Sequence, residues 1–381
     1  MAYPIERKLV IAVASSAVFD MRRAHEVFVT AGEDAYRKYQ IDRLDKPFQR
    51  GVAFPFIRRL LNLNKIYAKE QPIEVVVLSK NDPETGLRFF RSCRHYDLPI
   101  TRGSFLAGKS PHPYMPAFNA SLFLSPAKED VMEASSEGFP AGLVLPADIE
   151  DDAEDMQLRV AFDFDGVLCD DESENVYQTT QNLDLFHEFE EGKSAEPHGA
   201  GPLKDLLEKM AYFQRLERKK AKKDKSYKPA LRIAIVTARN APANERFVTT
   251  LKKWGISADE TFFLGGIEKR RVIDILKPHI FFDDQITHLR PSAKTIPSVH
   301  IPFGDLNHPG KPAPGEARPK GRKKKTRQKM TDGEGLPLDL AAPGQSAPSP
   351  GKGFVDISSQ APGPRGKKTL PRRRSRVQRG Q

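Results

Sequence analysis

The sequence predicts an α/β protein of two tandem domains, each built on a parallel sheet, followed by a basic tail. Three observations predict it. Short apolar runs alternate with helix-like segments, the pattern of a parallel sheet with crossover helices. The two halves of the 381-residue chain resemble each other in one register. From Asp305 onward the chain is rich in Pro, Gly, Lys and Arg and poor in large apolar residues.

The strands come first. "LVIAVA" (9–14), "IEVVVL" (73–78), "SLFL" (121–124), "LRVAFD" (158–163), "LRIAIV" (231–236) and "HIFFDD" (279–284) are apolar on consecutive positions, as strands buried on both faces are. Residues 202–216 read as a helix, with Pro202 in the first turn and Leu203, Leu206, Leu207, Met210 and Phe213 on one face. "ERKLVIAVASSAVFD" (6–20) mimics a secretory signal. The repeat argues for a buried first strand instead, because this run takes the place of the central strand of the second half.

A shift of 158 residues places Ser79 on Thr237, Arg88 on Arg246, Phe89 on Phe247, Tyr96 on Trp254, "FLAG" (105–108) on "FLGG" (263–266) and Phe123 on Phe281. The first strands match at a shift of 149, Leu9 on Leu158. The second copy is therefore longer between its first motifs, and "ERKKAKKDKSYK" (217–228) reads as the loop that holds the extra length. The expected domains are 1–150, 151–304 with a cap at about 170–230, and a disordered tail over 305–381.

Charge separates along the same lines. The tail holds 18 Lys and Arg against 6 Asp and Glu, and the rest of the chain is near neutral, with 43 basic against 44 acidic residues. The overall charge of +11 thus belongs to the tail. Its runs "GRKKKTRQK" (321–329) and "RRRSR" (372–376) suit weak, non-specific polyanion binding or simple solubilisation. Two cysteines, Cys93 and Cys169, do not make a disulfide framework and read as cytosolic thiols. No segment is long enough to span a membrane.

The chemistry gathers at strand ends in the second half. Asp163 and Asp165 close "LRVAFD"; carboxylates at i and i+2 on a strand point the same way, into the crevice where α/β sheets bind ligands. Thr237 ends another strand, Lys269 follows the "FLGG" turn, and Asp283 and Asp284 end "IFFDD". Plainer readings stand beside these. Lys269 lies among Lys252, Lys253, Arg270, Arg271 and Lys277, as a solvated lysine would. Asp284 could serve a helix N-terminus. "DDESE" (170–174) lacks the Gly-centred spacing of a calcium loop and reads as the way into a cap. "GSFLAGKS" (103–110) matches the P-loop string, but Pro111, Pro113 and Pro116 obstruct the helix a P-loop must open into.

The set "DFDGV" (163–167), "VT" (236–237), Lys269 and "FFDD" (281–284) resembles the haloacid dehalogenase (HAD) superfamily of phosphotransferases. "CDDESE", "GPLKDLLE", "TARNAP", "FLGGIEK" and "KPHIFFDDQ" look like the cytosolic 5′-nucleotidase type I family, and "AFPFIRRLLNLN" (53–64) and "HYDLPI" (95–100) fit its N-terminal half. The resemblance covers about residues 7–304. Phe164 and Gly166 stand where animal members typically carry Gly and Ala.

The resemblance implies tandem HAD-like domains, the second catalytic, and Mg²⁺-dependent hydrolysis of nucleoside monophosphates, AMP favoured, in the cytoplasm. It implies that Asp163 attacks phosphorus, Asp165 acts as acid and base, and Thr237 and Lys269 hold the phosphoryl group. Asp163, Asp165, Asp283 and Asp284 would hold Mg²⁺, with Thr237, Ala238 and Arg239 near the substrate. A phosphatase for other monoesters, or a nucleic-acid-associated protein acting through the tail, are the alternatives. The first half lacks the acids: Ala14 and Ser16 stand for Asp163 and Asp165, Pro111 for Lys269, Ser125 and Pro126 for Asp283 and Asp284. It is expected to shape the nucleoside pocket through Ser79, Lys80 and Asn81, to bind a nucleotide effector, or to be purely structural.

Overall fold

The computed structural model describes residues 3–304 and 307. The basic tail, for which disorder and polyanion binding are expected, lies outside the described residues. Twelve strands occur: β1 (Leu9–Val13), β2 (Phe19–Asp20), β3 (Gln49–Arg50), β4 (Ile73–Ser79), β5 (Arg102–Phe105), β6 (Leu122–Ser125), β7 (Ala141–Val144), β8 (Leu158–Phe162), β9 (Leu231–Thr237), β10 (Glu260–Phe263), β11 (Ile280–Asp283) and β12 (Ser298–His300). β2 and β3 form a small ribbon.

The other ten make one sheet, in the order β10-β9-β8-β11-β12-β7-β6-β1-β4-β5. This corrects the expectation of separate sheets. Each half has the same strand order, its first strand flanked by its second and fourth. The halves join where β12 pairs with β7, and that pair is antiparallel while all others in the sheet are parallel. A direct consequence is that the strands of the two halves run in opposite directions, so their C-terminal tips lie at opposite ends of the sheet.

β1 is central, between β4 and β6, and buried throughout. Its apolar, partly β-branched sequence fits a strand covered on both faces. One face of the sheet carries a core that runs through both halves: Ile11, Val13, Val75 and Val77 share it with Val160, Phe162, Ile233 and Ile235. The opposite face carries separate clusters, one around Val76 and Phe123, the other around Val236 and Phe281. Arg59, buried on the helix Phe54–Ile66, ties the halves further by an ion pair of 2.6 Å with Asp151 in the connecting segment.

Backbone turns repeat between the halves. Asp97, Ala107, Gly108 and Asn119 have positive φ, as do Gly255, Gly265, Gly266 and Lys277, each 158 residues later. Positive φ is costly for a residue with a Cβ, so its recurrence at matched places reflects shared geometry rather than local preference. "GSFLAGKS" contributes such a turn after β5 and leads into 3₁₀ turns at His112–Tyr114 and Pro116–Phe118, not into a P-loop helix.

Local signals explain the helices. Pro83–His95 starts with the Asp82 side chain accepting from Thr85 N at 2.8 Å, Pro83 in the first turn and Glu84 beside it. Asn244–Trp254 ends on Gly255 in the left-handed region. The helix expected from 202 runs from Lys204 to Lys223, so Pro202 precedes it, and the apolar face is buried as expected. Residues 217–223, expected in a loop, continue this helix. Glu, Arg, Lys and Ala are good helix formers, and Lys220, Lys222 and Lys223 favour the negative end of the dipole. The extra length of the second half is thus partly two more helical turns.

Ahead of that helix, Glu172–Thr180 and Leu183–Gly192 form a helical pair within the stretch where a cap was expected. The first half has its counterpart in Arg22–Ile41, broken at Gly32, whose φ is 84°. Among the described residues no helix is long and apolar enough to cross a membrane. Cys93 and Cys169 are free and buried.

Candidate active site

β8, β9 and β11 end side by side and deliver the polar groups. Asp163 follows β8, Thr237 closes β9, Asp283 closes β11 and Asp284 follows it. Lys269 stands before the helix Arg270–Leu276. All five are buried: 4% exposure for Lys269 rules out the solvated lysine that its basic neighbours suggested.

Lys269 is the hub. Its Nζ lies 2.6 Å from Asp163 Oδ2 and 2.7 Å from Asp283 Oδ2. The two carboxylates hold the ammonium well above the usual lysine range against the opposing effect of burial. Asp283 is fully engaged. Its Oδ1 accepts from Gln285 N at 2.8 Å and lies 3.3 Å from His288 Nδ1. Burial raises Asp283, but Lys269 and His288 override it and keep the carboxyl low.

Asp163 and Asp284 are the strained members. Burial pushes Asp163 up to about 7 despite Lys269, with the Asp283 and Asp165 charges adding to the rise. Asp284 is raised well above the carboxylate range by burial, then by Asp163 and Asp283. Its Oδ1 is buried without a hydrogen-bond partner. Its other oxygen lies where a Cβ on residue 166 would come within 2.5 Å, and Gly166 has φ of 68°, so both space and backbone call for glycine there.

Asp165 faces a different partner. Arg239 grips it by two bonds, Nε to Oδ2 at 2.8 Å and Nη2 to Oδ1 at 2.6 Å. Burial disfavours the charge of Asp165, but this fork outweighs it and holds the carboxyl low. Arg239 also pairs with Glu190 on the second cap helix. Glu190 is buried and receives Arg246 Nη1 at 3.0 Å and Ser173 Oγ at 2.5 Å, with His198 Nε2 at 3.6 Å. Arg246 reaches Glu172 at 2.7 Å. The cap is thereby tied to the acid/base position. Phe164 fills the space beneath, with its ring 4.5 Å from Phe247 and 5.5 Å from His198 between centroids.

The residues fit a divalent cation. Three buried carboxylates, Asp163, Asp283 and Asp284, and the partly exposed Asp165 face two cations, Lys269 and Arg239. Glu174 on the first cap helix adds negative charge near Asp284. The unpartnered Asp284 oxygen and the raised Asp163 and Asp284 mark where positive charge is short. An all-oxygen donor set of this kind suits Mg²⁺.

Of the expected residues, Asp163, Asp165, Thr237, Lys269, Asp283 and Asp284 come together, and Arg239 joins them through Asp165. Ala238 sits between Thr237 and Arg239 in the same strand-end turn, where Thr237 Oγ1 accepts from Arg239 N at 3.2 Å. Ser79, Lys80 and Asn81 do not join them; they line a cavity at the opposite end of the sheet. Glu190, Arg246, His198 and His288 went unnoticed in the sequence. Nothing in spacing marks Glu190, which only the docking of the cap brings to Arg239. Cys169, Asp170 and His198 also cluster. His198 faces carboxylates through both ring nitrogens, which suits an imidazolium held by ion pairs.

Residues 1–308 match the family model described as 5′-nucleotidase. The chain is 34% identical over 292 residues to human "Cytosolic 5'-nucleotidase 1B", covering 74% of this chain and 46% of the relative, so it spans about half that protein's length. Among solved structures, histidinol dehydrogenase from Elizabethkingia anophelis gives a TM-score of 0.19 at 9% identity, over 76% of this chain and 79% of the other. A Staphylococcus aureus MnaA–UDP structure gives 0.16 at 11% identity, over 75% and 76%. Neither likeness carries an argument.

Proposed function

The chain belongs to the 5′-nucleotidase family of phosphoric monoester hydrolases, and on that premise we propose that its second half hydrolyses nucleoside 5′-monophosphates at the Asp163 cluster. AMP is the favoured substrate, from the type I resemblance. The observation that carries the reading is the buried Asp163–Lys269–Asp283 cluster beside an unpartnered Asp284.

A phosphate dianion approaching four carboxylates is repelled unless their charge is cancelled. Mg²⁺ would be held by Asp163, Asp284 and the main-chain carbonyl of Asp165, and it would supply that cancellation. Asp283, engaged with Lys269 and the Gln285 amide, is the orienting acid rather than the direct ligand. Asp163 attacks phosphorus, the nucleoside 5′-oxygen leaves, and an aspartyl phosphate forms. Asp165, which the Arg239 fork holds ionised at rest, takes up a proton as substrate binds, gives it to the leaving oxygen, then takes one from the water that attacks the phosphoryl group, restoring Asp163. Arg239 keeps Asp165 aimed and ties its position to the cap through Glu190. Lys269 and Thr237 stabilise the transferring group.

We further propose that the two halves arose by duplication, with domains 1–150 and 151–304, the second catalytic and HAD-like. The matched strand order and positive-φ turns support this. A cytoplasmic setting accords with the free buried thiols and the name of the human relative.

The test is phosphate release from AMP, IMP, CMP and a sugar phosphate, with Mg²⁺ and with chelator, in wild type and Asp163→Asn. Mg²⁺-dependent release from nucleotides, lost in the variant, is expected. Release from the sugar phosphate alone would favour a different monoesterase, and absence of release from every nucleotide would defeat the proposal.

A further inference from the structure

At the end of the sheet opposite Asp163, the C-terminal tips of β1, β4 and β6 open into a cavity of about 1190 Å³. By the repeat it is the counterpart of the active centre. Its floor is neutral and polar. Ser15 Oγ and Ser79 Oγ lie 3.0 Å apart, Asn81 Nδ2 donates to Ser15 Oγ at 2.8 Å, and Tyr36 donates to Asn81 Oδ1 at 3.0 Å. Ser125 stands where Asp283 stands in the other half. The helix Arg22–Ile41, the counterpart of the cap, supplies an aromatic wall. Phe28 is 47% exposed, with His25 stacked at 6.4 Å and Tyr36 edge-on at 5.8 Å.

The charges of the lining are lopsided. Arg22, Arg50 and Lys80 are outnumbered by Asp20, Glu33, Asp82, Asp130, Asp148 and Glu150. All three cations are already committed, Lys80 to Asp130, Arg22 to Asp20 and Arg50 to Asp151, and Glu33 and Asp82 pair with Arg37, which leaves Asp148 and Glu150 as the uncompensated acids of the lining. Nothing here resembles the buried ammonium of the other half, because Pro111 holds the place of Lys269.

We propose that this cavity is a second ligand site and that its ligand is an uncharged nucleoside. The hydroxyl and amide floor matches ribose hydroxyls, which both donate and accept. A half-exposed aromatic ring offers a face to a planar base. The acidic excess disfavours a phosphate dianion, so the site discriminates by charge against the nucleotide. The volume is at or above the upper end of ordinary small-molecule sites, so a nucleoside enters with water around it. The inference rests on the proposed function only in that the nucleoside is then the product of the catalytic half. Binding itself does not depend on hydrolysis.

The experiment is calorimetric titration of the full chain with adenosine and with AMP, in the Asp163→Asn background so that nucleotide is not consumed. Phe28→Ala removes the stacking face, and Ser16→Trp, at an exposed position on the cavity wall, fills the space. The expected result is a class of adenosine sites, separate from product binding at the active centre, that weakens about tenfold or more in each variant. AMP should bind those sites at least about tenfold more weakly than adenosine. In the Asp163-containing enzyme both variants should keep kcat/KM for AMP within about twofold, since the sites are distant and independent. Adenosine binding unchanged in both variants overturns the inference, as does AMP binding there as tightly as adenosine. Adenosine binding that follows the variants in an enzyme with no nucleotidase activity would sink the proposed function and leave the second site standing.

Discussion

The two halves of the sheet share strand order, turn geometry and one continuous core, yet only one gathers carboxylates at its strand ends. In the second half, Asp163, Asp283 and Asp284 crowd around Lys269; in the first, Ala14, Ser125 and Pro126 occupy the corresponding places. The result is an electrostatically loaded, buried cluster at one end of the sheet and an open, neutral-floored cavity at the other. The architecture therefore does not itself supply the chemistry. A handful of side chains at strand tips does, and the same backbone without them is left free for another use.

The largest effect should follow from touching the loaded side. Asp163→Asn removes the proposed nucleophile, and activity on nucleoside monophosphates should fall by on the order of 10³-fold or more. Placing acids in the first half by Ala14→Asp and Ser16→Asp in that background should restore nothing, because that half has no lysine or acid pair to match. Steady-state phosphate release checks both.

Lys269→Met should abolish activity and also destabilise the fold. It leaves Asp163 and Asp283 buried without their cation, a change that typically costs about 3–5 kcal/mol. Urea unfolding in chelator reads this as a lower midpoint with an unchanged slope. Restoration of activity by Lys269→Arg to the wild-type level would mean that a compact ammonium is not what the site requires.

Glu190→Gln weakens the bridge from Arg239 and Arg246 to the cap. Stability should drop by about 2–4 kcal/mol, somewhat less than for outright loss of a buried partner. kcat should fall more than KM rises, since Asp165 loses its aim rather than the substrate its phosphate contacts.

How far these residues could be read from the sequence follows from where they sit. Asp163, Thr237, Lys269 and Asp283 were legible because each closes or follows a recognisable apolar run or turn. β1, β4, β8 and β9 were legible because burial on both faces makes their sequences uniformly apolar. β5 and β10 were not: they are edge strands, partly exposed, with sequences "RGSF" and "ETFF". β7 and β12 were missed for another reason. They are short, and they owe their importance to pairing with each other across the join, a long-range antiparallel contact no local pattern encodes. That same contact sends Ser79, Lys80 and Asn81 to the opposite end of the sheet. Arg239 was named for the substrate, but its guanidinium is taken up by Asp165 and Glu190, and only tertiary packing decides that.

A milder prediction concerns pH. Burial alone would lower the His198 imidazole, but the carboxylates of Asp170 at 3.7 Å and Glu190 at 3.6 Å outweigh it and leave the group raised. Its contribution to stability is then fully present below the ordinary histidine value of about 6.5 and is lost as pH rises through the raised folded value. Thermal unfolding across that window should show stability falling with pH, and His198→Gln should flatten the slope. A wild-type slope of the opposite sign that His198→Gln abolished would contradict the ion-paired imidazolium.

The smallest effect is expected at the other end of the sheet. Lys80→Ala and Asn81→Ala should leave KM for nucleotides within about twofold, because they do not reach the Asp163 site. A larger change in KM would mean that the halves communicate or that a partner chain brings the two ends together.

The most direct test of the account is to trap the enzyme during turnover. Acid quench of the Mg²⁺-loaded enzyme with AMP, followed by mass spectrometry of its peptides, should show the mass of one phosphoryl group on Asp163 and none on any first-half peptide. A phosphoryl group on another residue, or steady hydrolysis with Asp163 never modified, would contradict it.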